Sequence, residues 1–103
     1  MPVGLILQFS GMGLAEYDRV NGLLNIDQKA NTGDWPAGLL CHAAGMSDAG
    51  LVVMEVWESR DAQGRFMQER LGAALQKGGI TVTPTITWVD LASYNQPEGA
   101  AGG

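Results

Sequence analysis

Residues 38–57 hold two β-rich runs, Gly38 to Ala44 and Leu51 to Trp57, separated only by Gly45-Met46-Ser47-Asp48-Ala49-Gly50. A link that short and that rich in turn formers closes an antiparallel hairpin. A helical stretch stands on each side of it. Before it, Tyr17, Val20, Asn21 and Leu24 recur at i, i+3, i+4 and i+7, one stripe of a helix over Leu14 to about Asn25. After it, Ser59 caps a helix running to about Lys77, and Gly78-Gly79 stop it. Val3 to Ser10, closed by Gly11-Met12-Gly13, forms a strand ahead of the first helix. Ile80 to about Leu91 forms the last strand. It alternates Thr81, Thr83, Thr85 and Thr87 against Val82, Ile86 and Trp88. Pro84 donates no ladder hydrogen bond, so this strand belongs at an edge or carries a bulge.

The order strand, helix, strand, strand, helix, strand is the split βαβ, or ferredoxin-like, arrangement: an α+β fold with two helices on one face of a four-stranded antiparallel sheet. The other face still carries apolar side chains, and in a chain of 103 residues a bare apolar face is a dimerisation surface or an aggregation hazard. A homodimer through that face is expected. Residues 1–94 read as one domain. The tail at 95–103, Asn95-Gln96-Pro97-Glu98 and then small residues, reads as disordered. Residues 27–37 read as a loop, with Asn31-Thr32-Gly33-Asp34 and Trp35-Pro36 as turn chemistry.

The charge balance, 6 basic against 11 acidic residues, argues against nucleic acid and against an anionic membrane surface as partners. No run approaches the roughly 20 apolar residues of a membrane span, and the start lacks a basic signal-peptide region, so a cytoplasmic location is the default. The lone cysteine, Cys41, reads as a small buried hydrophobe. His42 beside it would point to the opposite strand face, which disfavours a nucleophilic pair. One His and one Cys on opposite faces supply too few ligands for a metal. No nucleotide loop is visible either, so any chemistry is expected to be cofactor-free.

At Val53-Met54-Glu55-Val56-Trp57-Glu58-Ser59, followed by Phe66-Met67, the chain resembles the dimeric α+β barrel superfamily, in particular the antibiotic biosynthesis monooxygenase-like and stress-responsive barrel proteins. The resemblance spans roughly residues 3–92 in element order. It implies the dimeric barrel and admits cofactor-free oxygenases, cyclases, haem-degrading enzymes and proteins with no assigned activity. Haem-degrading relatives place a Trp and a His on the second helix, where this chain has Phe66 and Gln76. That branch fails on its own motif.

His42 is the sole histidine and the natural acid–base group; its bland role is a satisfied strand-end side chain. The inward arc of the second helix holds Phe66, Met67, Leu71, Ala73, Ala74 and Leu75; Arg70 falls inside this arc and needs a partner there. An enolate-like ligand would serve, as would Glu55, another acid or snorkelling to water. Tyr17 and Asn21 share the inward stripe of the first helix. With Phe66 and Met67 they would line an apolar pocket for an aromatic or polyketide-like molecule. Trp35 is a candidate lid, or simply anchors its loop. Two functional classes therefore stand side by side. One is a cofactor-free monooxygenase or cyclase with His42 as base and Arg70 and Asn21 as charge stabilisers. The other is a non-catalytic small-molecule-binding or stress-related dimer. Which sheet face His42 occupies decides much between them, because a one-residue register change reverses a strand's side chains.

Overall fold

The computed structural model describes residues 2–97. Strand β1 (Val3–Ser10) leads through Gly11-Met12-Gly13 into helix α1 (Leu14–Leu24). The Glu16 carboxylate reaches back to the Gly13 N–H at 3.0 Å, which holds the first turn. Asn25, in the left-handed region at φ 58°, ends the helix. A two-residue ladder, β2 (Ile26–Asp27) with β3 (Thr32–Gly33), organises the segment that composition alone gives as a loop. Strands β4 (Leu39–Ser47) and β5 (Gly50–Trp57) form the central hairpin. Its ladder continues as far as Ser47 opposite Gly50, so Asp48-Ala49 alone make the turn where a six-residue loop is expected. Gly50 sits at φ 140°, and a Cβ there would stand 2.4 Å from the Phe9 carbonyl oxygen. Only glycine fits.

The second helix begins at Ser59, whose Oγ accepts the Ala62 N–H at 3.1 Å. It comprises α2 (Arg60–Phe66), a π-helical turn (Met67–Leu71) and α3 (Gly72–Lys77). The chain then returns to β6 (Thr85–Asp90). The four long strands form one antiparallel sheet in the order β4-β5-β1-β6. This is the ferredoxin-like α+β arrangement.

The sheet has two distinct faces. Leu5, Leu7 and Phe9 of β1, with Leu51, Val53 and Trp57 of β5, point to the helices and form the core with Val20, Leu24, Phe66 and Ala74. Trp57 is fully buried. Ile6, Val52 and Val56, half-buried, and Met54 and Val89, exposed, lie on the outer face.

Three expectations are corrected. Cys41 is exposed rather than buried, because it pairs with Val56 and so lies on the outer face. Residues 80–84 are not strand: pairing of β6 with β1 stops at Gln8 opposite Thr85, and Pro84 has no N–H with which to extend it. Ala73, expected inward together with Ala74, is exposed, and only Ala74 is buried. Most of the expected disordered tail, from residue 98 on, lies outside the described residues, and residues 95–97 have no regular structure.

Candidate functional site

The register of β4 against β5 shifts between Leu39 and Cys41. Leu39 pairs with Trp57 and Cys41 with Val56, so Leu40 is an extra residue, a β-bulge. Leu39 and His42, three apart, would point to opposite faces of a regular strand. The bulge puts both on the inner face, and His42 comes opposite Glu55.

There the imidazole is held from two sides. The Tyr17 hydroxyl lies 2.6 Å from His42 Nε2, with the two rings stacked nearly parallel. Glu55 Oε2 lies 2.8 Å from His42 Nδ1. The other carboxylate oxygen accepts the Trp57 indole N–H at 3.0 Å. An acceptor-only carboxylate fixes the tautomer: Nδ1–H donates to Glu55, and Nε2 accepts the Tyr17 O–H. The side chains of His42 and Glu55 are only 14% and 10% exposed. Burial pushes the Tyr17 phenol above its ordinary pKa. The nearby Asn21 amide opposes the rise, and the charges of Glu55 and Asp18 add to it.

This Tyr17–His42–Glu55 series forms part of the wall of a cavity of about 380 Å³ between sheet and helices, lined mostly by apolar side chains. Asn21, Phe66 and Met67 line it, as do Leu71 and, from the segment after the second helix, Val82. Asn21 is buried, and its amide N–H donates to the Tyr17 carbonyl at 3.1 Å. Trp35 closes one side, its ring tilted against His42 with centroids 5.5 Å apart. A second cavity, about 410 Å³ and more polar, lies beyond it and is lined by Gln28, Asn31 and Cys41; the two share Trp35, Leu39 and His42. The loop is set by local bonds, Asn25 Nδ2 to Asp34 Oδ2 at 2.8 Å and Gln28 Nε2 to Asp18 Oδ1 at 2.7 Å. Among the described residues, no three His, Cys, Asp or Glu side chains cluster as metal ligands would, and no helix is long and apolar enough to cross a membrane.

No protein-family model matches the sequence, and no curated protein resembles it detectably. Solved structures do. A protein of unknown function from Nitrosomonas europaea superposes with a TM-score of 0.66 at 19% identity, over 95% of this chain and 96% of its own. The cofactor-independent oxygenase SnoaB from Streptomyces nogalater gives 0.58 at 18% identity, over 94% and 98%. A proposed antibiotic biosynthesis monooxygenase from Deinococcus radiodurans gives 0.54 at 18%, over 96% and 100%. The chain shares its fold with these proteins. This fold carries both an oxygenase and a protein without assigned function at such distances, so it does not itself choose a chemistry.

On this scaffold, Tyr17, Asn21, His42, Phe66 and Met67 line one cavity. Arg70 does not join them. Its Nη2 donates to the Leu24 carbonyl at 2.8 Å and its guanidinium lies over the Phe66 ring. The π-helical turn is the cause. It fits one more residue into a turn than an α-helix does, so the inward line passes from Phe66 to Leu71 and Ala74 rather than to Arg70. Glu55, one of several partners open to Arg70 on sequence, orients His42 instead. A glutamate opposite a histidine in a hairpin is the signal that points to this pairing, but it is legible only once the bulge fixes the register.

Proposed function

We propose that the chain is one protomer of a cofactor-independent oxygenase acting on a fused-ring phenol or polyketide-like molecule. The observation that carries this reading is the Tyr17–His42–Glu55 series in the wall of an otherwise apolar cavity. An acid–base group in such a place is where proton abstraction from carbon is useful. Tyr17 is a phenol whose proton is held more tightly than usual, so it does not act as the base alone. A substrate proton reaching its oxygen is matched by its own proton passing to His42 Nε2, and the resulting imidazolium is stabilised by Glu55. The carbanion left on the substrate gives an electron to dioxygen. The radical pair joins as a carbon-bound hydroperoxide once a proton is returned. Loss of water then leaves a carbonyl: the methylene and dioxygen become a carbonyl and water, with one oxygen atom retained on carbon. The similarity to SnoaB, a cofactor-independent oxygenase, supports a reaction of this type. In the absence of oxygen the same carbanion is available for ring closure.

Two copies packed through the outer sheet face would bury Ile6, Val52, Met54, Val56 and Val89, and sedimentation at the mass of two chains is the expected result. A monomer at all concentrations would remove the dimer.

Anthrone, a three-ring ketone with an acidic methylene, is a suitable test substrate. Under labelled dioxygen the product should gain one labelled atom. His42→Ala should lower the rate by about 10²–10⁴-fold while leaving the cavity occupied. A variant as fast as the parent removes the base. One observation favours the second reading, a binding protein without chemistry: both ring nitrogens of His42 are already bonded. Anthrone recovered unchanged after long aerobic incubation, beyond the uncatalysed loss, would establish that reading instead.

A further inference from the structure

Thr81 and Thr83 line the cavity as exposed residues, and nearly every buried polar side-chain atom around it is already committed. The Tyr17 hydroxyl is bonded to His42, both Glu55 oxygens are taken by His42 and Trp57, and the Asn21 amide N–H is given to a backbone carbonyl. One is not. Trp35 Nε1 is buried and has no hydrogen-bond partner, and among the described residues it is the one such side-chain atom. Native chains rarely leave a buried N–H orphaned, and an orphan marks a place where a partner arrives. Trp35 lines the apolar cavity and the neighbouring polar one, and its ring stands against His42. Its neighbour Tyr17 contributes only an engaged hydroxyl. The second free feature of the residue is its position on a loop rather than on the sheet or a helix. Its ring packs against the core, so an incoming acceptor would meet the N–H once the ring turns on its loop.

We propose that the Trp35 indole N–H is the ligand's hydrogen-bond donor and sets its chemical class: a planar polycyclic molecule with a carbonyl or phenolic oxygen held beside His42. This rests on reading the cavity as a ligand site and does not require turnover. It deepens the proposed function by saying which end of the substrate faces the base. A ketone oxygen on Trp35 orients the ring next to the imidazole, and negative charge that spreads onto this oxygen as the carbon loses its proton meets a donor already in place. A ligand lacking that oxygen gains the same apolar contacts but leaves the N–H unpaired.

The test uses two probes that share one frame, 9-fluorenone with a carbonyl and fluorene without one. Neither binding measurement depends on oxygenation. The parent protein should bind fluorenone about tenfold more tightly than fluorene. Trp35→Phe, which keeps an aromatic ring and removes the N–H, should bind both alike, with its fluorene affinity near the parent's. If Trp35→Phe does not fold, the parent protein still decides the matter by nitrogen-labelled NMR. The Trp35 indole N–H signal should move downfield with fluorenone and not with fluorene, while that of Trp57, already bonded to Glu55, stays. A preference for fluorenone that survives in Trp35→Phe assigns the contact to another donor and overturns the inference. Equal binding of both probes by the parent also overturns it while leaving the cavity intact as a site. Binding of neither removes the cavity as a site for such ligands, and the proposed function with it.

Discussion

The two faces of the sheet are built from alternate residues of the same strands, and they have opposite characters. The inner face buries Leu5, Leu7, Leu51, Val53 and Trp57 and, at one place, sets the polar trio of Tyr17, His42 and Glu55 into apolar surroundings. The outer face has no helix over it; Ile6, Val52, Met54, Val56 and Val89 give it an apolar middle, and Gln8, Thr85 and Thr87 add exposed polar groups on the same side. The difference teaches that a period of two lets one strand serve two purposes at once. His42 belongs to one face and Cys41, its neighbour, to the other.

The largest effect that could break this division comes from charging the outer face. Met54 is 49% exposed in the single chain. If two copies meet there, Met54→Lys puts two buried charges into one symmetric interface. Association should weaken by about 2–4 kcal/mol, read by sedimentation, while the isolated chain keeps its cavity. Association that is indifferent to the lysine would show that the outer face is not where copies meet.

On the inner face, Tyr17→Phe removes one hydrogen bond and should cost about 0.5–1.5 kcal/mol of stability in urea unfolding. It should also change the dependence on pH. The folded chain holds the Tyr17 proton more tightly than the unfolded chain does, because burial raises its pKa. This contribution is complete below the unfolded value near about 10 and is lost as pH rises through the folded value. Tyr17→Phe should therefore flatten the alkaline decline, and an unchanged decline would place its origin elsewhere. Cys41→Ser should do least, shifting stability by no more than about 0.5 kcal/mol and leaving turnover of anthrone as it is. A large loss of turnover there would give the outer face a chemical role and blur the comparison.

Much of the fold was legible because its signals are local. The period-two runs and the Ser59 cap need no knowledge of distant residues, and β1 and β5 fall almost where the pattern puts them. Helix α1 is regular, so a helical wheel correctly aligned Tyr17 with Asn21 and set both toward the sheet. The same wheel drawn on the second helix misplaced Arg70 and Ala73, since a π-helical turn changes the phase of everything after it and leaves no plain mark in composition. Gly72 is its one local trace: a Cβ there would stand 3.0 Å from the Met67 carbonyl oxygen. The pairing of His42 with Glu55 was hidden for a related reason, because it depends on a bulge whose extra residue, Leu40, looks like any other strand leucine. The start of β6 was misjudged because alternation of Thr with Val persists into residues 80–84, although pairing stops at Gln8 opposite Thr85, short of Phe9 and Ser10, where Pro84 has no N–H to extend it.

The bulge at Leu40 also bears on how such a chain changes over generations. Point substitutions at 39–41 alter size or polarity and leave the direction of His42 intact. Deleting a single residue there would restore regular alternation and turn His42 outward, away from Tyr17 and Glu55, in one step. The segment just ahead of the histidine is thus a place where a change of length outweighs any change of letter. Related chains that keep the fold but lose the chemistry should differ there by a gap more often than by a replacement.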